Sequence, residues 1–195
     1  MFHYSGSGSQ IVKQGSGEHA DTSGTVLPMD VTLSSGSAAD IPGLESLWVS
    51  VHHQHQASMP ELSPYVSDET TWRERRTLYE ELFAKPDTFL LLASQGDTLV
   101  GYALVHMIAA SDTWTGDTWV TGETIAELES IAVAPDHRGA GIGTKLLDAV
   151  DAELDRRGIH DVIIGALPGN QGALRLYERR GFRPTWLYLS RFQRR

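Results

Sequence analysis

The sequence predicts an α/β fold, in which strands and helices alternate along the chain. The main observation is a strand, a glycine-rich loop and a helix that follow one another directly over residues 126–158. A continuous apolar run over residues 161–167 comes next, and such a run is typical of a strand in parallel pairing. The predicted order is one strand, two helices, three strands, a helix, a strand, a helix and a last strand.

Length and composition favour one globular domain. The chain of 195 residues is long enough to bury a substantial core. Residues 1–25 are rich in glycine and serine, and they hold too little apolar area to offset the entropy of ordering them. We therefore predict a flexible tail over residues 1–25 and a folded domain over residues 26–195.

Composition also excludes several kinds of site and partner. With no cysteine, the chain has no disulfide, no cysteine-based zinc site and no cysteine nucleophile. A net charge of −9 argues against nucleic-acid binding, and it either favours a cationic small substrate or serves only solubility. No apolar run is long enough to span a membrane and no secretory signal is evident, so we expect a cytoplasmic protein without a membrane partner.

The first elements are a strand and two helices. Residues 26–33 are predicted to form the first strand. A turn with helix-capping residues over 34–40 leads into a helix whose first turn holds Pro42, where proline is well tolerated. Ser67 or Asp68 caps a second helix, which stops before the next proline.

Three histidines near the end of the first helix, His52, His53 and His55, raise the question of a metal. No acidic or histidine partner four positions away completes a ligand pair, and histidines at exposed helix ends are common. We therefore predict no metal.

A hairpin and an aromatic loop follow. The apolar runs 88–94 and 98–109 are separated by Gln95-Gly96-Asp97, which is typical of a β-hairpin. The polar loop after the hairpin holds Trp114 and Trp119. These side chains contact a ligand or another subunit, or they cover the sheet, and the sequence leaves both readings open.

Over residues 127–158 the spacing of apolar residues changes from that of a strand to that of a helix. Residues 127–133 alternate as a strand that ends at Pro135. From Thr144 the apolar spacing becomes helical, and Gly158 ends the helix. One face of the strand is predicted to hold Glu127, Glu129, Ile131 and Val133, and the other face Leu128, Ser130 and Ala132.

The loop between this strand and helix, Arg138-Gly139-Ala140-Gly141-Ile142-Gly143, predicts a pyrophosphate site. The first N–H groups of a helix have no internal partner, and the helix dipole places partial positive charge there. The glycines let phosphate oxygens approach the backbone, and Arg138 adds a forked donor. The spacing departs from that of a P-loop and from that of a dinucleotide-binding loop, whose third glycine comes one residue later.

After the apolar run, Asn170 is predicted to cap a helix that ends at Gly181, and residues 185–192 alternate as the last strand. The loop at 138–143 resembles the R-x-x-G-x-G/A loop of the GNAT superfamily of acetyl-CoA-dependent N-acetyltransferases. Residues 170–182, NQGALRLYERRGF, are similar to the second signature of that family. The two signatures occur in the expected order and cover about the C-terminal third of the chain.

The resemblance implies a mixed, strongly twisted sheet flanked by helices on both faces. It also implies that the strand bearing Ile131 and the strand bearing Ile163 part at one end, where the pantetheine arm of acetyl-CoA lies. Unpaired backbone groups of the first strand would bind the amides of that arm. The cofactor-binding residues implied by the resemblance are Ile131, Ala132, Val133, Arg138, Gly139, Ala140, Gly141, Ile142, Gly143, Thr144 and Asn170.

The resemblance also implies the chemistry. An amine must lose a proton before it attacks a thioester, and Glu127 and Glu129 are both candidate bases for that step. The backbone N–H of Val133 would stabilise the oxyanion. Tyr177 matches the family tyrosine that protonates the departing thiolate, with core packing as the alternative.

Two functions of different class stay open at this point. One is an enzyme that moves an acetyl group to a small-molecule or peptide amine, and the other is a non-catalytic acyl-CoA-binding or partner-binding module. In the family, the segment around the first two helices shapes the acceptor pocket, so Glu69, Trp72 and Tyr79 are candidate contacts, with core packing as the alternative for the aromatics. A homodimer is compatible with the resemblance, and the acceptor is not indicated.

Overall fold

The computed structural model describes residues 30–192, and this range contains five strands and four α-helices. The predicted tail over residues 1–25 and residues 26–29 of the first predicted strand lie outside the described residues. The strands are β1 (Val31–Gly36), β2 (Phe89–Gln95), β3 (Thr98–Ala109), β4 (Thr124–Val133) and β5 (Val162–Ile164). The helices are α1 (Glu45–Ser58), α2 (Asp68–Phe83), α3 (Ile142–Arg157) and α4 (Gln171–Arg179).

The strands form one mixed sheet in the order β1-β2-β3-β4-β5. Neighbours from β1 to β4 are antiparallel, and β5 runs parallel to β4. The β2–β3 hairpin and the parallel pairing of the strand after α3 confirm the sequence predictions. None of the helices in the described range is long and apolar enough to cross a bilayer.

Helices cover both faces of the sheet, as predicted. On one face, Leu146, Val150 and Leu154 of α3 pack against the strands together with Tyr177 of α4. On the other face, α1 and α2 contribute a second cluster that includes Trp48 and Tyr79. Burial of these two apolar stripes against one sheet is the main favourable term that holds the layers together.

A β-bulge in β4 changes the faces that its side chains occupy. Leu104 of β3 is opposite Ser130, whereas the next residue, Val105, is opposite Leu128, so Glu129 has no partner on β3. Such an extra residue reverses the alternation beyond it. The predicted single face for all four odd-numbered residues is therefore wrong: Ile131 and Val133 pack with α3 and α4, while Glu129 contacts α2 on the opposite face.

Two strand boundaries also differ from the predictions. The predicted turn over residues 34–36 belongs to β1, because its backbone pairs with residues 90–92 of β2 and this pairing overrides the turn propensity of Ser and Gly. The strand predicted over 161–167 is only three residues long and lies at the sheet edge with half-buried side chains, not in a doubly covered position.

The predicted last strand is absent from the sheet. Residues 185–192 are described, yet they form no strand and most of their apolar side chains are exposed. The alternation of apolar residues is typical of a strand, but residues 185–192 pair with no strand of the sheet in the described part of the chain.

Candidate active site

A groove of about 780 Å³ runs between the glycine loop, the first turn of α3, one side of α4 and one side of α1. Its volume falls within the range of small-molecule sites. The structure brings to this groove all but one of the residues predicted to bind cofactor, together with Tyr177. The lining includes Ile131, Ala132, Val133, Arg138, Gly139, Gly141, Ile142, Gly143, Thr144, Asn170 and Tyr177, but not Ala140.

The loop geometry leaves the backbone open to a ligand. Gly139 and Gly141 have φ values of 80° and 83°, a left-handed conformation that favours glycine. A Cβ atom placed on either residue would meet no heavy atom within 4 Å. Gly143 is different, because a Cβ there would lie 3.3 Å from Leu176, so this glycine permits close packing of α3 on α4.

The N-terminus of α3 opens onto this groove without a protein cap. Its N-cap is Gly141, no side chain accepts a hydrogen bond from the first turn, and that turn holds no acidic residue. Orphan N–H donors with the positive end of the helix dipole form a ready site for an anion. The backbone thus meets the requirement for a phosphate-binding turn.

Arg138 is held by neighbouring elements. Its Nε donates to the carbonyl oxygen of Val133 at 3.1 Å, and its terminal nitrogens donate to Gln54 and Ser50 of α1 at 3.2 and 3.4 Å. The guanidinium therefore ties the end of β4 to α1, and its positive charge lies beside the groove.

Two further cations, which the sequence analysis did not single out, line the groove from α4. Arg175 and Arg179 are four residues apart, so they lie on the same face of the helix. Within the described range neither forms an ion pair. Their i, i+4 spacing beside the predicted cap Asn170 is the signal from which they could have been identified.

The β4–β5 pairing ends early, as the sequence analysis expected. The paired residues of β4 and β5 extend only from Ala126, opposite Val162, to Leu128, opposite Ile164. Beyond that point, residues 129–133 have no strand on the β5 side within the described part of the chain, and residues 131–133 line the groove. Asn170 accepts a hydrogen bond from the N–H of Ala173 at 3.2 Å and also faces the groove, so it caps α4 as predicted.

The two candidate bases meet a histidine that the sequence analysis did not identify. His106 of β3 is the cross-strand neighbour of Glu127. Its Nε2 lies 3.4 Å from Glu127 Oε2 and 3.8 Å from Glu129 Oε2. The His106 side chain is 9% exposed, whereas that of Glu127 is 33% exposed. Only Glu127 is therefore open enough to meet a substrate directly.

Glu129 also forms a salt bridge with Arg75. Arg75 of α2 forms an ion pair with its carboxylate, and both side chains are mostly buried. The Arg75 guanidinium also lies 3.8 Å from the ring centroid of Trp48, a cation–π contact. These contacts hold Glu129 between two cationic groups.

The electrostatics of this cluster follow from its geometry. The carboxylates of Glu127 and Glu129 raise the pKa of His106 from 6.5 to about 9, so the imidazole is charged at neutral pH. Burial alone would raise the pKa of Glu129, but the hydrogen bonds from His106 and Arg75 outweigh burial and hold it below its ordinary value. Glu129 is therefore a firmly ionised partner in a salt bridge.

His106, Glu127 and Glu129 are also the group of side chains in the described range that could together hold a metal ion. Their ligand atoms all lie within 4.8 Å of one another. A metal would first have to displace the proton from the imidazole, whose pKa is about 9. Arg75 already pairs with Glu129 in the structure, so a metal would also have to compete with this salt bridge.

The three histidines of α1 do not converge. His52 Nε2 contacts the carbonyl oxygen of Val66 at 3.0 Å, and His53 pairs with Asp68 at 2.9 Å. His55 packs edge-on to Trp48 with 6.1 Å between ring centroids. Each ring serves a separate contact.

Tyr177 lies on the groove wall with its side chain almost wholly buried. Burial raises its pKa to about 12, so the phenol keeps its proton throughout the physiological range. Tyr79 is also buried, but its hydroxyl bonds to Tyr102 at 2.9 Å and to Ser130. Tyr79 and Trp72 are core residues, while Glu69 is exposed beside a separate shallow depression on α2.

Comparison with known proteins gives three similarities. The chain is 30% identical over 140 residues to a mycothiol acetyltransferase of Geodermatophilus obscurus, and the match covers 71% of this chain and 41% of that protein. It is 36% identical over 85 residues to a thialysine N-ε-acetyltransferase of Mus musculus, over 44% and 45% of the two chains. The structure, with acetyl-CoA, of a predicted acetyltransferase from Clostridium acetobutylicum matches with a TM-score of 0.60 and 21% identity, over 82% and 96% of the chains.

The chain spans about two fifths of the length of the mycothiol acetyltransferase that it matches. The likeness to the solved structure concerns the fold, which has the same arrangement of a mixed sheet between helices. A model of the acetyltransferase (GNAT) family matches residues 48–182, a range that runs from α1 through the second signature. This match agrees with two observations of the structure, the glycine loop at the N-terminus of α3 and the early end of the pairing between β4 and β5. The chain belongs to the GNAT acetyltransferase family.

Proposed function

We propose that the protein is an N-acetyltransferase that moves the acetyl group of acetyl-CoA to a primary amine by direct attack on the thioester. The observation that carries the proposal is the groove that connects the uncapped N-terminus of α3 to Tyr177 and to the unpaired part of β4. The two carboxylates lie on the same strand, with Glu127 two residues before this unpaired part and Glu129 at its start.

The groove fits the diphosphate and arm of coenzyme A. The open backbone at Gly139 and Gly141 and the free donors of α3 would hold the diphosphate. Arg175 and Arg179 would add attraction for its negative charge, which matters in a chain of net charge −9. Ile131 and Val133 would pair backbone groups on the β5 side with the amides of the arm, and the N–H of Val133 would stabilise the oxyanion.

Glu127 is the residue best placed to accept the proton of the amine. It is more exposed than Glu129 and is not paired with an arginine. His106 holds the Glu127 carboxylate in a fixed direction, which limits the rotamers that the base must search. Glu129, held by Arg75, serves as the structural member of the pair of carboxylates.

Because of the bulge at Glu129, the candidate base Glu127 and the hydrogen-bond donor Tyr177 lie on opposite faces of the sheet. The side chains of Glu127 and Glu129 face α1 and α2, whereas Tyr177 is on α4 at the opposite face of the sheet. A thioester in the space between β4 and β5 would meet the amine from one face and release its thiolate toward the other. With a pKa of about 12, Tyr177 is a weaker acid than an ordinary thiol, so it acts by donating a hydrogen bond to the thiolate.

We infer that the acceptor is a small-molecule amine. Both relatives are named for small molecules, mycothiol and thialysine. The accessible carboxylate of Glu127 favours an amine that arrives as a cation. A peptide amine remains the second class of acceptor to be tested.

The test measures release of the thiol from acetyl-CoA in the presence of a panel of amines. The panel holds lysine analogues, amino sugars, polyamines and peptides with a free N-terminus. Amine-dependent thiol release supports the enzyme, and the productive amine identifies the acceptor class. Acetyl-CoA binding by calorimetry without release for any amine supports the alternative, a non-catalytic acyl-CoA-binding module.

A further inference from the structure

The loop between β3 and β4, residues 110–123, carries two tryptophans, Trp114 and Trp119. Trp186, near the end of the described chain, packs on the first of them. Trp119 is 43% exposed and Trp186 is 52% exposed. Exposed aromatic side chains gathered in one place are typical of a binding surface. Trp114, Trp119 and Trp186 are called the tryptophan patch below.

The patch offers indole ring surface to a ligand. Trp114 stacks on Trp186 with 5.4 Å between ring centroids and 22° between ring planes. Trp119 packs edge-on against Trp114, also with 5.4 Å between centroids. Two exposed rings therefore lie against one half-buried ring. Among the aromatic side chains, tryptophan gives the strongest cation–π contact.

The loop backbone holds these tryptophans in place before any ligand arrives. The N–H of Trp119 donates to the carbonyl oxygen of Thr115 at 2.9 Å, and Thr115 is buried. A Cβ atom on Gly116 would lie 2.5 Å from the carbonyl oxygen of Ala110, so only glycine permits this close turn. A surface that is ordered in advance loses less entropy when it binds.

The charge of the loop favours a cationic ligand. Asp112, Asp117 and Glu123 are exposed, and residues 110–123 contain no lysine, arginine or histidine. An ammonium group near this loop would gain attraction from the carboxylates and from the indole faces together. An anionic ligand would be repelled by the same carboxylates.

The loop lies on the far side of the candidate base from the cofactor groove. On β4 the groove begins at Ile131 and continues toward the glycine loop. Glu127 precedes this part of the strand, and β4 begins at Thr124, three residues before Glu127 or about 10 Å along the strand. With acetyl-CoA in the groove, the space along β4 that is left for the rest of the acceptor is on the side of the loop.

We propose that the tryptophan patch and the carboxylates of residues 110–123 bind the distal ammonium group of a di- or polyamine acceptor, whose reacting amine lies at Glu127. This inference rests on the proposed acetyl transfer and names the class of its acceptor. Because the loop begins about 10 Å from Glu127, a diamine with a long chain should bind better than one with a short chain.

The two nitrogens of the acceptor have different fates. The reacting ammonium gives one proton to Glu127 and then attacks the thioester carbon. As the C–S bond breaks, the second proton of this nitrogen passes to the thiolate, which yields an amide and a free thiol. The distal nitrogen keeps its charge throughout, because the pKa of an alkyl ammonium is about 10.

Kinetics with matched amines test the distal contact. Diamines from diaminopropane to diaminooctane are compared with alkylamines of the same chain length, and thiol release is measured. We expect kcat/KM for the long diamines to exceed that of the matched alkylamines by about tenfold. Trp119→Leu should remove most of this advantage by raising KM, with kcat and acetyl-CoA affinity unchanged.

A pair of charge variants supplies the control. Asp117→Asn should also raise KM for the long diamines. Asp97→Asn removes the same charge from an exposed position in the β2–β3 turn, at the opposite end of β3, and should leave KM unchanged. Circular dichroism checks that Trp119→Leu is folded, which its exposure favours. Equal KM values for Asp117→Asn and the wild type, together with equal values for Trp119→Leu, would overturn the proposal.

Binding measurements separate this inference from the proposed function. Calorimetry of the enzyme–CoA complex with diaminooctane measures the contact without turnover, and Trp119→Leu should weaken it about tenfold. Such binding without thiol release for any amine would support the site and overturn the acetyl transfer. Thiol release that does not distinguish diamines from alkylamines would overturn this inference and leave the acetyl transfer in place. Unchanged amine kinetics in Trp119→Leu with altered sedimentation would overturn it in favour of a second copy as the occupant.

Discussion

His106 of β3 stands directly opposite Glu127 of β4, and its Nε2 lies 3.4 Å from one carboxylate oxygen of Glu127 and 3.8 Å from Glu129. The imidazole is almost wholly buried between the two acids. The charge of His106 therefore stabilises the sheet and also holds the side chain of Glu127, the candidate base, in position.

Stability should depend on pH through His106. The pKa of about 9 in the folded protein lies above the ordinary 6.5, so the stabilisation is complete below about pH 6.5 and is lost as pH rises through 9. The difference in pKa corresponds to at most about 3 kcal/mol of unfolding free energy. Thermal unfolding from pH 6 to pH 10 should show this loss in the wild type and not in His106→Gln. Parallel curves for the two proteins would contradict the charged imidazole.

Turnover should depend on the carboxylate of Glu127. Glu127→Gln should lower turnover by about a hundredfold or more, because general-base catalysis contributes 10²–10⁴, while acetyl-CoA affinity stays the same. Turnover is measured by thiol release, and affinity by calorimetry. A Glu127→Gln enzyme with wild-type turnover would remove this residue from the mechanism.

Arg75 should matter to stability far more than its neighbour in sequence. Arg75→Gln leaves the mostly buried Glu129 without its salt bridge, and removal of one partner of a buried pair costs about 3 kcal/mol or more. Arg76→Gln is the matched control, because its pair with Glu80 is about half exposed and should contribute less than about 1 kcal/mol. Urea unfolding gives both values, and equal losses would contradict the buried network.

Negative charge at the mouth of α3 should prevent cofactor binding. Gly141→Glu places a side chain and a charge in the phosphate position, and it also strains a residue with φ of 83°. Thr144→Glu adds the same charge in the first helical turn, where it should stabilise α3 by about 0.3 to 1 kcal/mol. We expect both variants to lose measurable acetyl-CoA binding in calorimetry.

The control for these loop variants is Gly43→Glu, at an exposed site with open space and no positive φ. It should bind acetyl-CoA as the wild type does. Unchanged affinity in a folded Thr144→Glu protein would count against the assignment of the loop.

Tyr177→Phe should lower turnover more than affinity. The lost hydrogen bond to a thiolate is worth about 1.5 to 3 kcal/mol, or roughly ten- to a hundredfold in rate. Because the pKa of Tyr177 is about 12, its loss should not change the pH profile below pH 9. Steady-state kinetics across this range checks both statements, and equal rates for the two proteins would make Tyr177 a packing residue.

Chelation should leave turnover unchanged. The His106 proton must leave before a metal can bind, and the pKa of about 9 makes this unfavourable at neutral pH. Activity before and after treatment with EDTA, followed by addition of zinc, measures the effect. Loss of activity on chelation with recovery on zinc addition would assign His106, Glu127 and Glu129 to a metal site.

The sequence by itself determined the α/β class, the glycine loop and the second signature. These features are local, because the change from strand to helical period, the glycines at φ-positive positions and the cap at Asn170 are fixed within a few residues. Local features of this kind survive folding unchanged. The expectation that Tyr177 lies near the glycine loop came from the family resemblance, and the structure places Arg138, Gly141 and Tyr177 on one groove.

Only the tertiary structure decided the faces of β4, the partners of the two glutamates and the position of the C-terminal segment. The bulge at Glu129 arises from register with β3, and the contacts of His106 and Arg75 with the two glutamates join residues 21 to 54 positions apart. Alternation in residues 185–192 predicted a strand, but a strand must also lie alongside a neighbour, and this segment pairs with no strand of the described sheet. Pairing is a property of two segments in space, which one segment's sequence does not contain.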